Sequence, residues 1–118
     1  MRRPYKAPLD SHALAMDEFR RPAGPGVPTA EAIRESWTAT VAALPEGARI
    51  EGEVIGRQRF GVFIRIHGMP DAVGLAEVGS MPHDLELPAM GAAVAGVVIW
   101  HADHNHQVKI KLDEWDRP

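Results

Sequence analysis

After Gly47 the apolar residues stop recurring at helical spacing and begin to alternate, and the alternation persists through five short runs up to Leu112. Ile50, Gly52 and Val54 share one face of a first strand, with Glu51, Glu53 and Arg57 on the other. Val62, Ile64 and Ile66 alternate with Phe63 and Arg65 in a second. The loop His67, Gly68, Met69, Pro70, Asp71 leads to a short third strand over 72–76. Residues 78–90 are mixed, carry Pro82 and Pro88, and leave room for only a turn of helix. A fourth strand over 94–100 is rich in β-branched residues. In a fifth, Val108, Ile110 and Leu112 alternate with Gln107, Lys109 and Lys111. Five such strands predict a closed all-β barrel, because a flat sheet this small leaves its edges and one face exposed.

The chain before Gly47 obeys a different period. Ile33, Trp37, Val41 and Leu44 form one stripe at helical spacing, which predicts a single amphipathic α-helix over 29–44. Glu31 and Glu35 favour its amino end, and Pro45 stops it. The stripe is expected to dock on the barrel, with Trp37 as its anchor. Residues 1–28 read differently again. Pro recurs at 4, 8, 22, 25 and 28, and Arg pairs stand at Arg2-Arg3 and Arg20-Arg21. A mobile tail is expected there, because too little apolar surface is available to offset ordering entropy. Within it, Asp10 caps either a short helix over 10–19 or a fluctuating turn. The expected organisation is therefore a tail over 1–28, a docking helix over 29–44 and a barrel over 45–118.

Composition narrows the function classes. The 118 residues contain no cysteine, which excludes disulfides, thiolate catalysis and Cys-ligated zinc and fits a cytoplasmic protein. No apolar run is long enough to span a bilayer, and no signal peptide is evident, so no membrane partner is expected. The net charge of -3 argues against a strongly basic nucleic-acid binder. That charge resides in residues 48–118, where seven Lys and Arg face ten Asp and Glu. Such a balance opposes long-range steering of RNA.

Certain short elements are familiar together. Gly52-Glu53-Val54, Arg59-Phe60-Gly61-Val62-Phe63-Ile64 and Gly74-Leu75-Ala76-Glu77-Val78 occur in that order. Met90-Gly91-Ala92-Ala93-Val94 and Trp100-His101-Ala102-Asp103 follow them. This pattern resembles the S-one RNA-binding domain family over about 45–112. The resemblance implies a five-stranded Greek-key barrel of the OB class, with an RNA face on strands two and three and nearby loops. It implies that Phe60 and Phe63 are exposed aromatics on which bases stack. On an ideal strand, residues three apart face opposite ways. A bulge at Gly61 would turn both outward; the alternative is Phe60 inward as core. The family's Asp before the last hairpin is present as Asp103. Its usual His falls on Glu77, and its phosphate-binding Arg on Gln107. Arg59 and Arg65, beside the aromatics, and Lys109, sharing the outward parity of Gln107, are candidate compensating cations, with Arg57 and Lys111 as further ones.

His101, Asp103, His104 and His106 raise the question of a metal. They lie in the presumed turn between strands four and five, where polar residues are expected, and their spacing matches no metal site. No metal or other cofactor is therefore expected. No nucleophile with a base, phosphate loop or carboxylate pair points to an enzyme. The expectation is a non-enzymatic binder of single-stranded RNA, a small accessory factor in RNA metabolism or translation. The alternative is a protein-interaction module on a barrel whose RNA face has degraded, using the tail or the barrel to hold its partner.

Overall fold

The computed structural model describes residues 26–116. The expected short helix over 10–19 and most of the expected tail lie outside the described residues.

The segment expected as one helix is two. Thr29 caps α1 (Ala30–Glu35) by accepting from the Ala32 amide at 3.0 Å. Ser36 interrupts the helix before α2 (Trp37–Ala43). Serine competes for helical hydrogen bonds, and here its Oγ stands 3.5 Å from Asp71 Oδ2 on the barrel. The periodic stripe runs straight through the break, which is why the sequence alone reads as continuous. Leu44, at the end of α2, is buried in the core, and Trp37 packs against that core while half-exposed.

Five strands follow: β1 (Arg49–Gln58), β2 (Gly61–Ile66), β3 (Val73–Glu77), β4 (Ala93–Ala102) and β5 (Gln107–Leu112). They close in the order β1-β2-β3-β5-β4, with β4 returning to β1. All neighbours are antiparallel except β3 and β5, which run parallel and pair Leu75 with Lys109. The first strand serves two partners. Its first half pairs with β4 and most of its length with β2, and the register slips between Val54 and Gly56. Such a bulge bends a strand and raises its twist, which helps a sheet this narrow to close.

Alternation fills the interior. Val54, Val62, Ile64, Val98, Val108, Ile110 and Leu112 are all buried in one cluster. Burying each such side chain stabilises by about 1.5–3 kcal/mol. Gly52 permits the closest approach of β1 to β2, since a Cβ there would lie 2.2 Å from the Arg65 carbonyl oxygen. A 3-10 turn (Val78–Ser80) is the only helical turn described between β3 and β4, as the proline content led one to expect. Arg57 fastens this connection, donating from Nε to the Pro88 carbonyl at 3.1 Å. It is a structural tie, although its position beside Phe60 made it a candidate RNA contact.

A second 3-10 turn (Asp113–Trp115), not anticipated from the pattern, carries Trp115 into the core. Its indole Nε1 is buried with no hydrogen-bond partner among the described residues. Such an unmet donor costs about 1–3 kcal/mol, less than burial of the large ring returns. The turn is held by Arg49, whose guanidinium donates twice to Asp113, at 2.9 and 2.5 Å. That pair keeps the Asp113 carboxyl below its ordinary range and the Arg49 guanidinium above its own.

Candidate nucleic-acid interface

Residues paired across antiparallel strands share a face, so the outer surface of the barrel can be read from its register. Phe63 pairs with Leu75, and Arg65 with Val73. Leu75 stands beside Lys109, and Lys109 opposite Trp100 on β4. One row therefore crosses four strands: Phe63, Leu75, Lys109, Trp100. Neighbouring strands are about 4.8 Å apart, so the row is roughly 14 Å long.

Phe60 and Phe63 both lie on the outside. Phe60 is 47% exposed and sits in the tight turn between β1 and β2, not within a strand. The opposite-face rule therefore does not apply to the pair. The rings meet edge to face, with centroids 5.9 Å apart. Gly61 makes this possible by letting the turn lie against β3, where a Cβ would stand 2.2 Å from the Ala76 carbonyl oxygen. Arg59 is exposed in the same turn.

The charged candidates are differently placed. Arg65 forms an ion pair with Glu53, its partner across β1 and β2. Lys109 is only 9% exposed, and its Nζ lies 3.2 Å from Glu77 and 3.4 Å from Gln107 Oε1. Glu77 thus does not present a bare carboxylate to the face. It neutralises a lysine that parity alone suggested was solvated. Asp103 accepts a hydrogen bond from Trp37 Nε1 at 2.8 Å. The aspartate that the resemblance assigns to RNA is engaged by the helix.

Around that contact the β4–β5 turn becomes a helix dock. The Trp37 ring meets His106 edge-on at 5.5 Å and His101 at 6.2 Å. His101 Nε2 donates to the Leu44 carbonyl at 2.7 Å, capping the end of α2. His106 holds φ at +57°, a left-handed conformation that histidine adopts more readily than most residues. His101, His106 and Asp103 are thus disposed around Trp37 and the end of the helix, while His104 is exposed in the turn. Val73 and Leu75, outside the barrel by register, are nonetheless buried, Leu75 to 2% exposure. Residues Val27, Pro28, Ala30 and Ile33 stand across a cleft from Phe63, Val73, Asn105 and Gln107. Helix α1 and its leading segment therefore form a wall beside the aromatic face.

Sequence reasoning passed over Trp100, which is 52% exposed next to an exposed Ile99. The register slip between Val98 and Trp100 carries the pair out of simple alternation. Its signal was an aromatic at the end of a β-branched run.

No family model matches the chain, and no curated protein matches it. Solved structures do. The apo form of RNase R from Mycoplasma genitalium matches with a TM-score of 0.56 and 13% identity, over 66% of this chain and 15% of that one. A structure of the a/eIF2alpha–aDim2p–rRNA complex from Pyrococcus horikoshii matches at 0.51 and 14%, over 61% and 46%. The solution structure of GSP13 from Bacillus subtilis matches at 0.50 and 18%, over 60% and 57%. The chain thus spans less than two thirds of the length of each. At these identities the likeness is one of fold. The fold is a five-stranded OB barrel of the S-one type, preceded by a broken helix.

Proposed function

We propose that the protein binds single-stranded RNA without chemistry, through Phe60, Phe63 and the cations around them, as a small accessory factor in RNA metabolism or translation. The observation that carries this reading is the edge-to-face pair of an exposed Phe60 and a partly buried Phe63 on the outer face of an OB barrel. Water-exposed aromatic rings offer planes on which unpaired bases stack, worth about 1–3 kcal/mol per base. The solved complex that contains rRNA supports the same choice of ligand. Arg59 and Arg65 belong to the proposed path of the strand, with Lys109 and Asp103 contributing through the contacts that fix the face. Residence in the cytoplasm belongs to the same proposal.

One observation favours a different reading. Ile99 and Trp100 form an exposed apolar pair on β4, while Arg65, Lys109 and Asp103 are engaged by neighbours within the chain. A barrel that has become a protein-interaction module would look like this.

Titration with short mixed single-stranded RNAs at low and moderate salt separates the two. The RNA reading expects binding that weakens with salt and falls several-fold or more in Phe63→Ala with stability nearly unchanged. Absence of binding at low salt overturns it in favour of the interaction module. Binding that Phe63→Ala leaves intact moves the site away from this face.

A further inference from the structure

The cleft between α1 and the barrel has a chemistry of its own. Its volume is about 360 Å³, within the range of small-ligand pockets. Pro28 and Ile33 form one wall, Phe63 and Val73 the other, and Asn105 and Gln107 bring two amides to it. No ionisable side chain lines it among the described residues. A phosphate placed there meets no cation. A flat, neutral ligand with a hydrogen-bonding edge meets an aromatic surface, aliphatic walls and two amides.

We infer that this cleft receives one unpaired nucleobase of a bound RNA strand and discriminates among bases, with Phe63 as the stacking surface and the Asn105 and Gln107 amides reading the base edge. The inference rests on the RNA binding proposed above. Phe63 belongs to both the open aromatic face and the cleft, so a strand stacked on one continues into the other.

The state of Gln107 supports this role. Its Oε1 accepts from Lys109 Nζ at 3.4 Å, and Lys109 is held in turn by Glu77 at 3.2 Å. The carbonyl side of the amide is engaged, which leaves its NH2 group to donate to a ligand. Asn105, exposed in the β4–β5 turn, offers both a donor and an acceptor. A guanidinium at position 107 would grip phosphate and position a strand irrespective of its sequence. An amide has no charge to offer phosphate, but it has the paired donor and acceptor that base edges match. The change at Gln107 thus exchanges a backbone contact for a base contact.

The test compares short oligomers of A, of C, of U and of U interspersed with G, each titrated against the full chain at moderate salt. The wild type is expected to favour one base by about fivefold or more, the lower end of bidentate base discrimination. Asn105→Ala/Gln107→Ala should bind all four oligomers alike, at an affinity near that of the wild type for its weaker ones. Ile33→Trp, which fills the cleft without altering either amide, should flatten the preference in the same way. The Ile33 methyl resonance should shift with the favoured oligomer. Equal binding of all oligomers by the wild type overturns the base pocket and leaves RNA binding standing. So does a preference that survives both variants. Failure of the wild type to bind any oligomer overturns both readings.

Discussion

The two turns that border the outer face of the barrel are put to opposite uses. At the β1–β2 turn, Phe60 is left in solvent against Phe63, with Arg59 beside it. At the β4–β5 turn, Asp103, His101 and His106 are gathered around Trp37 and the end of α2. The resemblance to the S-one family assigns both turns to one RNA face. In this chain the second turn holds a helix, and the face is divided into an open half and a docked half. Residue type at a family position is therefore insufficient to assign its role. Asp103 is retained, and its carboxylate is already in use.

The division can be tested from the docked side first. Trp37→Ala removes the ring that bridges the helix, both histidines and Asp103. Urea denaturation should show a loss of about 3 kcal/mol, the lower end for large aromatic truncation because the ring is half-exposed. A loss below about 1 kcal/mol would mean that the helix is held by Leu44 and the His101 contact alone.

A smaller effect isolates the hydrogen bond itself. Asp103→Ala and Trp37→Phe, singly and together, form a double-mutant cycle whose coupling should be about 1–2 kcal/mol, as for a bond to a charged acceptor. A coupling near zero would return Asp103 to the pool of groups available to RNA.

The smallest expected change concerns the middle of the face. Glu77→Gln removes the partner of Lys109 at a carboxylate that is about half-exposed, so stability should shift by less than about 1 kcal/mol. With its charge no longer neutralised, Lys109 should add to phosphate attraction. The single-strand salt slope should steepen by up to about 0.7, measured as log affinity against log salt. An unchanged slope would show that burial, not Glu77, withholds the lysine from the strand.

These outcomes bear on how much the sequence could reveal. The barrel was legible because alternation is local: Val62, Ile64 and Ile66 declare an inward face whatever lies across from them. The partners of outward residues are not local. Lys109 has the same parity whether it meets water or Glu77, which comes from a different strand. Trp37 reads as a docking anchor from its stripe, but nothing near it names Asp103 as the acceptor. The break at Ser36 was hidden because the apolar period continues across it. Trp115 was hidden because it follows the last alternating run and enters the core from a turn. Phe60 was ambiguous only under the assumption that it lay within a strand. The one-residue distinction between turn and strand decides its direction, and boundaries are where pattern reasoning is weakest.

The parallel closure of β3 against β5 also governs how the protein comes into being. A chain made from its amino end completes β1, β2 and β3 by Glu77, but β5 ends only 35 residues later, at Leu112. At synthesis rates of 5–20 residues per second the three-stranded meander waits roughly 2–7 s for its last strand. Until β4 ends, at Ala102, the meander's inner face of Val54, Val62 and Ile64 has no roof and β1 presents an open edge, while the edge of β3 stays open until β5. The edge of β1 that later receives β4 carries Arg49, Glu51 and Glu53. Charges on a waiting edge discourage pairing with a stray strand. On this view those three residues are guards during birth, and their value would be read in the yield of soluble protein during rapid synthesis.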